Sequence, residues 1–330
     1  MTDPTIGAVL PVKLTGRHYE HNLGLCDVML SSFRAAGLHE VLAEILVVVP
    51  PDEVGVVERH RRHWPDMPLR VISEQELLPQ LADFVRPHQL RPWHRQQILK
   101  LAAVSSSEHP FTLVCDPDIL AIKPITLDLL LPGGRGLLER EARAVHETWW
   151  RDSGELLGCD PGIDLPGIGV TPELLSRDVV RTLTAHLEER HQRPWFELLL
   201  TTYTTWTEYT LYGHALEQLV DRSAYHVFPD EIGSPVTLHA RRNVWDESDL
   251  SAIDFSEFFA ADETGLFAIV QSALEIAPLE LRDRLAPWLP ITVTDYERVD
   301  RRSVHLREAY GRYARGVTRL AHRALPRRRG

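Results

Sequence analysis

Phe111-Thr112-Leu113-Val114-Cys115 is a short apolar run that ends directly in two carboxylates, Asp116-Pro117-Asp118. The run has the length and composition of a buried strand, and in open α/β sheets ligands collect outside the carboxyl ends of the strands. Asp116 and Asp118 are therefore expected where a ligand would sit. Pro117 fixes its own φ and donates no hydrogen bond, so the ladder should stop there and leave both side chains outside it. Two hard oxygen donors beside open coordination positions suit Mg²⁺ or Mn²⁺, which then bind phosphates. A strand-end turn with two solvated carboxylates has the same spacing, and only the surroundings separate the two readings.

Working outward, the first half alternates strand and helix. Ile6 to Leu10 reads as a strand, and Leu25, Val28, Met29, Phe33 and Ala36 keep helical spacing up to a stop at Gly37. A β-branched run from Ile45 to Val49 closes on Pro50-Pro51, a polar helix covers Asp52 to His63, and Leu69 to Ile72 is a third strand. This β-α-β-α-β order is that of a parallel sheet covered by helices. A helix from Trp93 to Val104 leads into the strand ending at Asp116. Further on, a Gly-rich loop spans Gly154 to Gly169, and Thr171-Pro172-Glu173 has the hydroxyl, proline and acid that open a helix.

With 330 residues, 44% hydrophobic and 25% charged, the chain can bury a large core. Its start lacks a basic n-region, and the apolar stretch Ile6 to Val12 is broken by Gly7 and Pro11, so neither a signal peptide nor a membrane span is expected. Cys26, Cys115 and Cys159 have no metal-ligand spacing, and reduced thiols in a cytoplasm are the simplest account. The net charge of −11 hides an asymmetry: residues 301–330 hold ten Arg and one Glu, a local +9, which leaves −20 on the rest with His neutral in both parts. An acidic body argues against nucleic-acid binding. In the tail Leu306, Tyr310, Tyr313, Val317, Leu320 and Ala324 recur at helical spacing with Arg312, Arg315, Arg319 and Arg323 on other faces. Such a helix either lies on an anionic membrane or packs on the acidic body.

Three ordered motifs now stand together: the helix Trp93-His94-Arg95-Gln96-Gln97-Ile98-Leu99-Lys100-Leu101, the strand ending at Asp116-Pro117-Asp118, and Thr207-Glu208-Tyr209-Thr210-Leu211-Tyr212-Gly213. Over roughly residues 5–245 the chain resembles nucleotide-sugar glycosyltransferases of the GT-A fold, nearest to a poorly characterised bacterial family. Proline fills the middle of the Asp-x-Asp, where such families usually carry a small residue. The resemblance implies an α/β fold: a mixed, mostly parallel sheet flanked by helices, with a helical C-terminal extension. The catalytic domain would be residues 1–245, with a nucleotide-binding half to about residue 130 and an acceptor half after it, and the extension would be 246–330.

The resemblance also implies a cofactor, a donor and an acceptor. The cofactor is Mn²⁺ or Mg²⁺, the donor a nucleoside-diphosphate sugar, and the acceptor a sugar, a lipid-linked molecule or a small molecule in bacterial polysaccharide or natural-product glycoside synthesis. Negative charge builds on the leaving phosphate during transfer, and a divalent cation can offset it as a Lewis acid and template. Asp116 would hold ribose or a metal-bound water, Asp118 would ligate the metal, and His239 is the candidate third ligand. Gln96 and Lys100, four apart on one helical face, are candidates for donor phosphate or sugar, as is Arg241 with its planar fork. Trp206, Tyr209 and Tyr212 are candidates for the acceptor side, and Glu208 for the base that takes the acceptor's proton if the enzyme inverts. Each has a plain alternative: a solvated helix face for Gln96 and Lys100, a structural histidine, a surface arginine, core aromatics and a helix-capping acid.

Two other classes fit part of the pattern. A sugar nucleotidyltransferase shares the sheet and the carboxylate pair but begins with a Gly-rich phosphate loop, which Pro11-Val12-Lys13-Leu14-Thr15-Gly16 is not. A non-catalytic nucleotide-sugar-binding scaffold would keep the fold and bind through its tail.

Overall fold

The computed structural model describes residues 6–15, 21–81, 92–169, 171–202, 205–246, 248 and 254–294. The basic tail, expected at a membrane or on the body, lies outside these described residues. In chain order the strands are β1 (Ile6–Pro11), β2 (Leu42–Val49), β3 (Leu69–Ser73), β4 (Phe111–Val114), β5 (Ile119–Ala121), β6 (Gly136–Leu137), β7 (Arg140–Ala142), β8 (Pro166–Ile168), β9 (Glu173–Ser176), β10 (His226–Val227), β11 (Thr237–His239) and β12 (Gly265–Ile269). The longer helices are α1 (Asn22–Ala35), α2 (Val54–His60), α3 (Pro92–Ser106), α4 (Glu147–Leu157), α5 (Arg177–His191), α6 (Trp195–Thr201), α7 (Glu208–Gln218) and α8 (Pro278–Leu285).

The central sheet has the order β3-β2-β1-β4-β9, with β1 to β4 parallel and β9 antiparallel on β4. This is a mixed, mostly parallel sheet flanked by helices. Its strands read as unbroken apolar runs because both faces are covered. Val9, Leu46, Val48, Val114 and Leu175 face the core formed with α3, α5, α6 and α7. Their neighbours Ala8, Leu10, Ile45, Val47, Val49, Leu113 and Leu174 face the opposite core, where Cys26, Met29, Leu30 and Phe33 of α1 pack.

Helix α1 is buried on two sides. Leu25 and Val28 look away from the sheet into a third cluster with Leu120 of β5, Ala268 of β12 and Leu281 of α8. Gly37, at φ 85°, turns the chain after this helix in a conformation that L side chains avoid. A second sheet, β11-β12-β5, stands beyond the end of β4, with β12 antiparallel to β5 and parallel to β11. Past residue 245, where a helical extension is expected, the described residues thus include a strand that completes this sheet as well as α8.

Asp27 of α1, fully buried, ties distant parts of this layer. Its Oδ1 accepts from His60 Nε2 at 2.7 Å and Trp64 Nε1 at 2.8 Å, and its Oδ2 accepts from the Thr294 backbone N–H at 3.0 Å.

Two local expectations are corrected. Thr171-Pro172-Glu173 does not open a helix: the Thr171–Pro172 peptide is cis, Glu173–Ser176 is strand β9, and the helix begins at Arg177. Leu174 and Leu175 enter opposite cores, and pairing with β4 outweighs the local capping preference. Nor is Gly154 to Gly169 all loop, since Gly154 lies in α4, Gly158 at φ 73° ends that helix, and residues 166–168 form β8.

Gly265 sits where β12 passes β11. A Cβ there would lie 2.3 Å from the Ala240 backbone nitrogen, which cannot swing aside as a side chain can. Gly265→Ala should therefore cost about 1–3 kcal/mol through strand displacement. Urea unfolding of the two proteins checks this, and an unchanged midpoint would refute the close approach.

Candidate functional site

Strand β4 ends at Val114, so Asp116 and Asp118 stand in the gap between the two sheets, beyond the carboxyl end of a central strand. Asp116 is met from the side by α3. Gln96 Nε2 donates to its Oδ1, and Lys100 Nζ lies 2.9 Å from its Oδ2. The four-residue spacing on α3 brings both groups to the same carboxylate.

Lys100 is 1% exposed and has a second partner, Glu208 Oε1, at 2.9 Å. Burial alone would push its pKa down, but Asp116 and Glu208 outweigh that and hold it well above the ordinary lysine value, so it stays charged. The ring of Tyr209 lies beneath it at 5.4 Å. Glu208 opens α7 after the cap formed by Thr207 and Thr210, with no exposed surface. Gln97 is satisfied with its amide nitrogen toward Glu208 and its oxygen accepting from Trp93 Nε1 at 3.1 Å. Both carboxylates that flank the lysine are thus themselves held by glutamines from consecutive positions of α3.

Asp118 is arranged differently. Its Oδ2 accepts from the Ser272 backbone N–H at 2.9 Å, and its own carbonyl accepts from Val270, the residue after β12. Its Oδ1 is buried without a partner. Burial, then the neighbouring charge of Asp116, raises the Asp118 carboxyl to about 6. The site therefore holds one carboxylate locked by a lysine and an amide, and a second with an oxygen left over.

The other expected residues lie elsewhere in the fold. His239 Nε2 stands 3.1 Å from the Pro172 carbonyl, and its ring packs over Gly169 beside Glu173. Among the described residues no three His, Cys, Asp or Glu side chains form a metal-ion cage, so Asp116, Asp118 and His239 are not assembled as one. Arg241, 55% exposed, reaches the Asp262 carboxylate at 3.0 Å and so faces the 260–263 turn. Trp206 and Tyr212 are fully buried and Tyr209 is 5% exposed, which corrects their assignment to an acceptor surface. Tyr212 accepts from the Ser176 N–H and donates to His226, whose other nitrogen donates to the Gly136 carbonyl. Glu208, expected as a base, has no exposed surface and pairs with Lys100 at 2.9 Å. Sequence reasoning missed Gln97, which shares Gln96's motif but turns to Glu208. Ser272 carries no motif at all, since it acts through its backbone.

Beside this locus lies a buried acid. Glu173 of β9 has no exposed surface, its Oε2 has no partner, and burial followed by the charges of Glu139 and Glu141 raises its pKa well above the ordinary value. Its protonated form is the one the fold favours.

A family model described as "Family of unknown function (DUF6492)" matches residues 3–293. A search among curated proteins finds no match. Among solved structures, the chain is similar to mouse xyloside xylosyltransferase 1 in its apo form, at 15% identity over 81% of this chain and 98% of that one, with a TM-score of 0.47. It is similar to core-mannan synthase A from Aspergillus fumigatus in an Mn/GDP form, at 9% identity over 67% and 72%, with a TM-score of 0.46. It is also similar to the galactosyltransferase LgtC in complex with donor and acceptor sugar analogs, at 11% identity over 88% and 98%, with a TM-score of 0.45. Likenesses this loose transfer neither an activity nor a residue's role.

Lys100→Met should leave Asp116 and Glu208 uncompensated and cost about 3–5 kcal/mol. Adding Glu208→Gln should recover part of that loss, because one of the two stranded charges disappears. Urea unfolding of both single variants and the double variant checks the coupling; strict additivity would refute it.

Glu173 gives a pH-dependent expectation. A carboxyl whose folded pKa is raised contributes stability that is complete below its unfolded pKa and is lost as pH rises through the folded value. The melting temperature of Glu173→Gln should therefore gain on that of the native chain between pH 5 and pH 8. A difference that stays flat or shrinks would mean that Glu173 is not held neutral.

Proposed function

The chain belongs to the family of unknown function DUF6492, and from that premise we propose that it is a metal-dependent GT-A-type glycosyltransferase. Its donor would be a nucleoside-diphosphate sugar, and it would transfer a hexosyl-type group to an acceptor hydroxyl. The observation that carries the reading is the pair at the end of β4: Asp116 immobilised by Lys100 and Gln96, and Asp118 with a buried oxygen that has no partner. A single buried lysine faces Asp116 and Glu208, and the charge of Asp116 also bears on Asp118. That balance favours a further cation.

The donor set fits a small divalent ion that takes one or two carboxylates and completes its shell with water and substrate phosphate. Such an ion needs no protein cage of three side chains. Asp118 would ligate it through Oδ1, and Asp116, held by its two donors, would face ribose or a water of the ion's shell. When bound, the ion would offset the charge that builds on the leaving diphosphate. Lys100 would then work by fixing Asp116 rather than by touching phosphate, because it is spent on two carboxylates. The three cysteines are free thiols, which supports a reducing compartment such as the cytoplasm. No helix among the described residues is long and apolar enough to cross a membrane.

The nucleotidyltransferase reading loses support because the loop after β1 lacks the glycines that cradle a triphosphate. The test is a thermal-shift panel of nucleoside diphosphates and their sugars with and without Mn²⁺, on the native chain and on Asp118→Ala. At one hundred times its Kd, a ligand adds about 2.7 kcal/mol to the native state. The native chain should show Mn²⁺-dependent stabilisation by at least one nucleoside diphosphate, and Asp118→Ala should lose it while remaining folded. Equal stabilisation of the two proteins would remove Asp118 from the metal site, and no stabilisation by any nucleotide would favour the scaffold reading.

A further inference from the structure

The buried positions of Trp206, Tyr209 and Tyr212 leave the candidate site without the aromatic surface assigned to it, yet a different one adjoins it. Trp93 stands on α3 seven residues before Lys100, about 10 Å along the helix axis. Its Nε1 bonds to Gln97, which bonds to Glu208, so the ring is joined to the lysine cluster through hydrogen-bonded neighbours. Trp149 of α4 lies 5.6 Å from Trp93, and the imidazole of His146 is stacked on Trp149 at 4.0 Å with 8° between the planes. Trp93, Trp149 and His146 are each partly exposed, in contrast to the core aromatics. Glu141 Oε2 stands 3.5 Å from His146 Nε2, and these side chains are 28% and 26% exposed.

We propose that Trp93, Trp149 and His146 form an acceptor subsite that stacks on a ring of a neutral oligosaccharide whose reacting end reaches the Asp116–Asp118 locus. The inference rests on the glycosyltransferase reading for the identity of the reaction. The faces of aromatic rings are electron-rich and apolar, and the C–H face of a pyranose is weakly positive and apolar, so the two stack with little loss of hydration. Hydroxyls at the ring's edge need polar partners, which Glu141 and His146 supply. The charge argues against a nucleic acid or another polyanion on this surface: α4 carries Glu147, Asp152 and Glu155 against Arg151 alone.

The experiment is a screen of the labelled full-length chain on an array of defined neutral oligosaccharides, with monosaccharides alongside, for the native protein and for Trp149→Ala. The native chain should retain at least one oligosaccharide class, and Trp149→Ala should bind that class at least ten-fold more weakly. Stabilisation by nucleoside diphosphate with Mn²⁺ should be the same in both proteins. No binding by the native chain, or undiminished binding by the variant, overturns the proposal. If Trp149→Ala melts well below the native chain, His146→Ala replaces it with the same expectation, since that ring contributes stacking without a place in the core. Trp149-dependent oligosaccharide binding without any nucleotide effect would remove the glycosyltransferase reading and leave the platform as a carbohydrate-binding surface.

Discussion

One ammonium group, that of Lys100, organises the centre of this protein. A lysine taken out of water is costly unless ion pairs and hydrogen bonds replace its hydration, and here both carboxylates that do so come from other elements. Asp116 arrives from the end of β4 and Glu208 from the start of α7, while Lys100 itself belongs to α3. The cluster therefore fixes the distance between the central sheet and two of the helices that cover it. The adjoining contacts follow from that. Gln96 and Gln97 project from successive positions of α3, and each secures one of the lysine's partners.

The same interaction separates the two aspartates by role although they are only two residues apart. Asp116 has donors on both oxygens and little freedom to rearrange. Asp118 lies against the second sheet, with one oxygen bonded and the other buried and unsatisfied. A native structure rarely leaves a carboxylate oxygen in that condition, since the loss of hydration is not recovered. The cation proposed for this locus would meet a rigid neighbour and a receptive one, which would limit the reorganisation needed on binding. Pro117 helps keep the two apart, because it cannot join the ladder that would otherwise continue through both.

The parts of the fold that announce themselves in the sequence are those where period and composition agree. The strands at Ile6, Ile45, Leu69 and Phe111 read as apolar runs because both faces of the sheet are covered, and the α3 spacing of Gln96 and Lys100 already places them together. Thr171-Pro172-Glu173 misleads for the opposite reason. Its local signals are those of a helix start, while the decisive term is pairing of Glu173–Ser176 with β4, about sixty residues upstream by number. Aromatic residues mislead through burial. Nothing local distinguishes Trp206 and Tyr212, at the centre of the core, from Trp93 and Trp149, at its margin. Glu208 is read from the sequence as the acid that begins a helix, and only the fold shows that its carboxylate pairs with Lys100. Ser272 is invisible to motif reading because it contributes a backbone N–H, which every residue but proline owns.

That backbone contact has a consequence for how the chain comes into being. Asp118 receives its bond from a residue 154 positions later, and the strand beside it, β12, is likewise late in the sequence. At translation rates of about 5–20 residues per second, roughly 8 to 30 seconds separate the synthesis of Asp118 from that of Ser272. During that interval the nascent chain can build the central sheet and the lysine cluster that needs Glu208, but the second aspartate still lacks its floor. The ribosome thus delivers the rigid half of the locus first and the receptive half last, because the floor under Asp118 comes from β12 and the residues that follow it.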